Sequence, residues 1–393
     1  MTVGNGSAYL RPAPTFAEAL TFVRRGTPMG ELLRRYWHPI GLASDAASVP
    51  RRIVALGEEL ILFRDAAGTP GLLHPRCAHR GSSLYYGKVE EGGLRCCYHG
   101  WMFDVEGHCV DQPCEPMRGV AKANVRQPWY PLEERYGLIF AYMGPPGRRP
   151  TLPRYACLEE LDDGEWIEAD DSSIGSGGPV IVPCNWLQHF ENVVDPFHVP
   201  ILHDSFSGPQ FVEMMGRLPD VSFSVSGRGV KSVQRRPGDQ GKLFERVTEA
   251  VIPTLRVVPS PRVGAFQSVE SIGWVLPMDD TTMRIYVAGR VREAGSLARM
   301  KSSFNGKSWF ELTEAEHQQF PGDYEAQVSQ GPVTLHSEEH LATTDRGIAL
   351  LRRMLRKQVA IVAEGGDPIG VSFEAGPPPV SFEAGNFLRD AKV

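Results

Sequence analysis

Four residues of metal-binding type fall in two short loops. The first loop reads Cys77-Ala78-His79-Arg80-Gly81-Ser82, and after sixteen residues beyond His79 the second reads Cys96-Cys97-Tyr98-His99-Gly100-Trp101. Two thiolates and two imidazoles in this arrangement suit a [2Fe–2S] cluster, with Cys77 and Cys96 on one iron and His79 and His99 on the other. A tetrahedral zinc takes the same donors, but zinc sites usually pair Cys with Cys and His with His along the chain. One of each per loop favours iron and sulfur. Gly81 and Gly100 allow the sharp turns that bring backbone amides close to bridging sulfides.

Further along, Asn192-Val-Val-Asp195-Pro-Phe-His198-Val-Pro200-Ile-Leu-His203 places two imidazoles near several carboxylates. Two neutral His ligands and one carboxylate make a facial triad that holds Fe(II) and leaves positions open for O2. Five residues apart on a straight α-helix, His198 and His203 do not share a face. Pro200 is therefore expected to break the helix between them and return His203 to the same iron. Ordinary helix-end histidines are the alternative. Beside an electron-storing cluster, however, an open iron supplies the second part that an O2-activating enzyme needs. Asp195 can reach an N–H of His198 and fix its tautomer, or it can simply start a helix before Pro196. Asn192 stands one turn earlier, with a plain surface amide as the alternative. His38, His74, His108, His189, His317, His336 and His340 have no such companions and read as structural or surface residues.

The elements that must position these residues follow from periodicity. Thr15 to Trp37 has helical spacing of apolar residues. From Arg52 the period drops toward two: Ile53 to Leu56 and Leu60 to Phe63 read as a hairpin, and Gly137 to Met143 closes a strand-rich stretch. Gly144-Pro-Pro-Gly147 and Pro150 mark a boundary. Residues 1–150 are expected to form N-terminal helices and the cluster domain, whose core covers 40–143, and residues 151–393 the mononuclear iron domain. Antiparallel strands are expected at Val221 to Val225, Gly273 to Leu276 and Met283 to Val287. From about Thr344, Ile348, Leu351, Leu355 and Val359 make one helical stripe. The Pro- and Gly-rich tail from 365 holds two copies of Val-Ser-Phe-Glu-Ala-Gly and reads as surface-hugging or loosely ordered.

Composition bounds the rest. The chain has 393 residues, 42% apolar and 22% charged, enough for two cores. A net charge of −6 offers no footprint for nucleic acid or anionic lipid. No apolar run approaches the ~18 residues needed to span a bilayer, and the start lacks the pattern of a signal peptide, so the cytoplasm is the expected compartment. Cys97, Cys109, Cys114, Cys157 and Cys184 are expected to be small buried thiols. Arg217, Arg228, Arg256 and Arg262 could each pair a substrate carboxylate, though a solvated surface role is the expectation for each.

The chain resembles the oxygenase components of Rieske non-haem iron oxygenases, of the phthalate 4,5-dioxygenase type. The likeness covers nearly its whole length, including Gly26-Thr-Pro-Met-Gly-Glu-Leu-Leu-Arg-Arg-Tyr-Trp37-His-Pro, Cys96-Cys-Tyr-His-Gly-Trp-Met-Phe-Asp104 and Ala141-Tyr-Met-Gly-Pro-Pro146. Cys97 departs from the family pattern, and this departure touches no ligand assignment. The resemblance implies an α+β protein, with an all-β Rieske domain and a helix-grip catalytic domain built on an antiparallel sheet. It implies that His198 and His203 bind a mononuclear Fe(II), that Asp323 completes the triad, and that Asn192 lies beside the iron. Asp345 is the rival ligand, but the helix dipole already explains an acidic residue there. Asp195 would link His198 to a cluster histidine of a neighbouring subunit in a ring-shaped homotrimer. With no second Cys in its first loop, the cluster is expected in the lower part of the range of about −150 to +300 mV. A separate reductase carrying flavin and using NAD(P)H would supply electrons for hydroxylation, dihydroxylation or demethylation of a small substrate. An aromatic acid resembling phthalate is the family-level expectation. A pure electron carrier, or a small-molecule binding protein without oxygenase activity, is the alternative.

Overall fold

The computed structural model describes residues 12–119, 122–171, 178–260, 267–299 and 306–390. Ahead of residue 150 the strands are β1 Trp37–Leu42, β2 Arg51–Ala55, β3 Glu58–Arg64, β4 Pro70–Leu73, β5 Lys88–Glu90, β6 Gly93–Arg95, β7 Met102–Phe103, β8 Cys109–Asp111, β9 Leu132–Arg135 and β10 Leu138–Tyr142. They form three small antiparallel sheets, ordered β1-β10-β9, β2-β3-β4 and β5-β6-β7-β8. The expected hairpin at 53–63 is present as β2 and β3, paired Ile53 to Leu60.

After residue 150 come β11 Trp166–Asp170, β12 Asp220–Val225, β13 Gly229–Pro237, β14 Lys242–Val251, β15 Leu255–Val257, β16 Ser271–Pro277, β17 Met283–Val291 and β18 Gly385–Asp390. These make one antiparallel sheet of eight strands, ordered β11-β17-β16-β15-β14-β13-β12, with β18 beside β14. The helices are α1 Glu18–Thr21, α2 Pro28–Leu33, α3 Ala156–Glu159, α4 Trp186–Asn192, α5 His198–Pro200, α6 Ser296–Arg299, α7 Glu314–Gln319, α8 Asp323–Val328 and α9 Arg346–Ala363. The stripe of α9 packs on β12 and β13 and on α2, as amphipathic spacing requires.

Expectation and structure differ at both ends. The helical stretch expected through Trp37 is two short helices, because Gly26-Thr27-Pro28 restarts the chain and Trp37 pairs with Tyr142 as the first residue of β1. The helices α1 and α2 lie against α9. The tail hugs the surface but is tied down. Val380 donates its N–H to the carbonyl of Arg154 (2.8 Å), and the last residues form β18.

There are two cores. A large one runs through both halves and includes the edge-to-face pair Phe140 and Trp274, 5.5 Å between ring centres. A small one holds Ile61, Phe63, Leu73, Leu84, Leu94 and Phe103 around Cys77 and Cys96. An ion cluster ties the helix that bears Asn192 to α9: Arg352 donates to both oxygens of Glu191 (2.5 and 2.7 Å) and to both of Glu339 (2.5 and 2.8 Å). Among the described residues no helix is long and apolar enough to cross a membrane.

Candidate metal centres

The cluster loops are built alike. In each, the Cys carbonyl accepts from the Gly four residues on, Gly81 N–H to Cys77 at 2.8 Å and Gly100 N–H to Cys96 at 3.1 Å. In each, the Cys N–H donates five residues on, to Ser82 at 2.9 Å and to Trp101 at 2.8 Å. Both glycines are left-handed, φ 77° and 73°, and a Cβ on Gly100 would lie 2.6 Å from the Pro113 ring. Such a turn directs the side chains of Cys and His toward one point.

Cys77 and Cys96 are buried in the small core, while His79 and His99 are half-buried, their rings 4.6 Å apart. Trp101 stacks on His79, 4.3 Å between centres. Burial, and then the neighbouring Cys96 thiol, push the Cys77 thiol up to about 12. Without a metal the pocket therefore favours the neutral thiol, and only coordination, which deprotonates a thiol outright, would make these residues thiolates. The donors present fit a cluster whose cysteine iron is enclosed and whose histidine iron faces outward. All seven cysteines are free thiols. Burial holds for Cys109 and Cys184, but Cys157 is half-buried, and Cys97, on the second loop, and Cys114, whose Sγ faces the His99 carbonyl, are exposed.

One residue of this centre escaped sequence reasoning. The fully buried Gln127 accepts from Ala78 N–H (2.7 Å) and donates to the carbonyls of His74 and Arg76 (both 2.8 Å), clamping the first loop along its length. Gln127→Leu leaves these buried groups unpaired, which is expected to cost about 3 kcal/mol. Thermal loss of the cluster's visible absorbance should move to lower temperature, and an unchanged midpoint would remove the clamp from this account.

The second centre lies where α4, the α5 turn and α8 meet. The three residues His198, His203 and Asp323 bring ligand atoms within 4.8 Å of one another. His198 Nε2 is 3.7 Å from one Asp323 oxygen and His203 Nε2 is 3.4 Å from the other. The other ring nitrogens face acceptors: His198 Nδ1–H donates to the Asp195 carbonyl at 2.5 Å, and His203 Nδ1–H to Gln210 Oε1 at 2.9 Å. These bonds fix the tautomers and aim both Nε2 lone pairs at Asp323. Burial alone would raise the Asp323 carboxyl, but His203 and His198 beside it outweigh burial and hold it far below the usual carboxylate range. Two lone pairs and an ionised carboxylate converging in a buried place fit a divalent cation.

The backbone does not break at Pro200. The chain passes from α5 directly into a π-turn at Ile201–Phe206. Pro200 sits in the first turn, where its missing N–H is no loss. In a π-turn bonding runs i to i+5, so residues five apart stack on one side. The helical path changes type just after Pro200, between the two histidines, and their ring centres are 5.4 Å apart.

Asn192 Nδ2 reaches Asp323 Oδ1 (3.0 Å) and His198 Nε2 (3.2 Å). Asp195 accepts from Phe197 N–H (3.1 Å), a local turn ahead of α5 that does not cap the helix, and its carboxylate also lies 3.5 Å from His198 Nδ1. Asp345 is elsewhere, accepting from Ala342 N–H (2.7 Å) ahead of α9. Gln210 carried no sequence signal. His189, set aside as structural, packs beside this centre: burial pushes its imidazole down to about 3, with Arg256 and Asp323 both near enough to act on it. Its signal was the spacing of three residues from Asn192, one helical face.

Residues 36–127 match the Rieske [2Fe–2S] domain. Over 390 residues the chain is 51% identical to the phenoxybenzoate dioxygenase subunit alpha of Ectopseudomonas oleovorans, spanning 97% of this chain and 94% of that one. The chain belongs to the Rieske non-haem iron oxygenases. It is an oxygenase component of that family, an O2-dependent oxidoreductase that carries a Rieske cluster and a mononuclear iron and works with a separate reductase. Identity to the phthalate 4,5-dioxygenase oxygenase subunit of Pseudomonas putida is 28%, over 92% of this chain and 90% of the relative. The crystal structure of dicamba monooxygenase bound to dicamba superposes with a TM-score of 0.61 at 18% identity, covering 84% of this chain and 99% of that one. That likeness establishes the two-part α+β fold.

Proposed function

We propose that this oxygenase hydroxylates an aromatic carboxylate, and that Arg256 holds the carboxylate. The single observation that carries this is a half-buried arginine whose enclosed Nε has no hydrogen-bond partner among the described residues. Arg217 pairs with Glu213 (2.9 Å) and Arg228 is exposed, as expected of surface arginines, and Arg262 lies outside the described residues. Arg256 differs. Its Nε is enclosed and makes no hydrogen bond among the described residues. Burial, partly offset by the Asp323 charge, lowers its guanidinium to about 10.

Arg256 stands on β15 opposite Ala250 of β14 and Gly273 of β16. On β14, two residues from Ala250, Thr248 donates its hydroxyl to the Val193 carbonyl at the end of α4 (3.1 Å), so this face of the sheet is the one that α4 covers. The side chains flanking Arg256 at 250 and 273 are small, and an Arg fork favours a bidentate carboxylate. Named relatives act on acids of this kind: phenoxybenzoate, 3-chlorobenzoate in Comamonas testosteroni, and phthalate.

In this proposal Cys77, Cys96, His79 and His99 hold the cluster, and His198, His203 and Asp323 hold Fe(II). When bound, the cluster supplies stored electrons and the iron supplies open positions for O2 reduction. Asp195 and Gln210 keep the two imidazoles oriented, Asn192 fixes the carboxylate, and Arg256 orients the acid. Asp195 also offers a short bonded route to a cluster histidine of a neighbouring subunit. A homotrimer is supported by exposed aromatic residues near the cluster, Tyr85 and Tyr86 just after the first loop and Tyr98 on the second. The reductase is proposed to carry flavin and use NAD(P)H, the compartment to be the cytoplasm, and the boundary between the two parts to fall near residue 150.

The test is product formation, not NADH loss, from 3-phenoxybenzoate, 3-chlorobenzoate, phthalate and their neutral amides, with a surrogate reductase. Acids should react and amides should not. Arg256→Met should raise KM for the best acid by about 30-fold, the equivalent of one charged hydrogen bond of about 2 kcal/mol. Equal turnover of acid and amide, or an unchanged KM, overturns the assignment of Arg256.

A further inference from the structure

Between α4 and α8 there are two hydrogen-bonded rungs. One is Asn192 to Asp323 (3.0 Å), and the other is His189 Nδ1 to Gln327 Oε1 (2.9 Å). On α4 the two residues are three apart and on α8 they are four apart, so both rungs rise from matching faces. His189 and Gln327 are 1% and 3% exposed. Because an amide oxygen only accepts, the second rung requires the Nδ1–H tautomer of His189. The rung is backed from α4 as well, since Gln188 Nε2 donates to the carbonyls of Gln327 (2.8 Å) and Gly331 (3.1 Å).

Helix α8 has six residues and does not hold itself; a helix so short is marginal without tertiary contacts. Asp323 is its first residue. Its far side is held by Trp309 Nε1–H, which donates to Glu325 (2.7 Å), and the residue before Gly322 is held by Ser207, whose hydroxyl donates to Pro321 (2.6 Å). On the α4 side the backbone contact is made by the Gln188 amide, and the side-chain contacts are the two rungs.

We infer that His189 and Gln327 are positioning residues for the mononuclear iron: their rung sets the register of α8 on α4 and so the place of Asp323, without either residue touching the metal. This rests on Asp323 being a ligand, as proposed above. Burial keeps the His189 imidazole neutral, so the prop adds no positive charge beside a cation.

The test is Fe(II) affinity of the mononuclear site, measured by equilibrium dialysis of the full chain with its cluster in place, alongside cluster absorbance and thermal midpoint. His189→Ala and Gln327→Met are each expected to raise the Fe(II) Kd by about 10- to 100-fold, the usual effect of losing a partner that orients a metal ligand. His189→Asn keeps a donor near Nδ1 and should return to within about threefold of the parent. The double variant His189→Ala/Gln327→Met should be no weaker than either single one, because both remove the same bond. Parent-like Kd in both single variants overturns the inference. So does a loss of affinity that follows the thermal midpoint with no rescue by Asn. Asp323→Ala separates the layers: if it retains Fe(II), the ligand assignment fails, and if it loses Fe(II) while His189→Ala does not, only the rung fails.

Discussion

Product formation is expected to fall by more than about 10³-fold in His198→Ala/His203→Ala, with the cluster spectrum unchanged. Both effects follow from geometry. The two Nε2 atoms and Asp323 are the only grouped ligands for one ion among the described residues, and a single carboxylate does not replace a triad. The variant also removes one half-buried and one buried ring without entering the small core of Ile61, Phe63 and Phe103 that surrounds Cys77 and Cys96. Distant, independent sites should respond separately. The check is product yield per electron supplied, together with visible absorbance. Turnover within tenfold of the parent would remove both histidines from the metal site.

Cys96→Ser should abolish the cluster and, with it, product formation driven by the reductase, again by more than about 10³-fold. Cys96 lies buried beside Cys77, and serine is a hard donor that iron–sulfur chemistry does not favour. The replacement also buries a hydroxyl in an apolar core, so the cluster sheets should lose stability as well. Fe(II) binding at His198, His203 and Asp323 is expected to persist, because the large core that frames α4 and β16 does not include Cys96. Retained visible absorbance in this variant would overturn the ligand assignment, and loss of Fe(II) at the second site would overturn the independence of the two centres.

Sequence alone carried the chemistry further than the geometry. The Cys-x-His and Cys-x2-His loops and the Asp-x2-His-x4-His segment were legible as candidates, because metal donors are few in kind and their spacing is local. Resemblance and not spacing singled out Asp323, since 120 residues separate it from His203 and no periodicity spans such a gap. The π-turn was misread as a break because Pro200 is the same letter whether it interrupts a helix or sits harmlessly in a first turn. Gln127, Gln210 and Gln327 were not legible at all. A glutamine's role depends on which buried backbone or ring group faces it, and that is decided by tertiary packing. Arg256 was seen but given the surface expectation that its residue type usually deserves. Only the folded structure shows its Nε enclosed and unpartnered among the described residues, between Ala250 and Gly273 in the register. The tail's last residues read as loose because Pro and Gly dominate before them, whereas pairing with β14 is a long-range event.

The ratio of iron to acid-labile sulfide in the purified chain, and in His198→Ala/His203→Ala, tests most directly whether one polypeptide holds two separate iron centres. A [2Fe–2S] cluster plus one mononuclear site predicts about three irons per two sulfides in the parent and about two per two in the variant. Identical ratios in the two proteins, or zinc in place of iron and sulfide, would contradict the account.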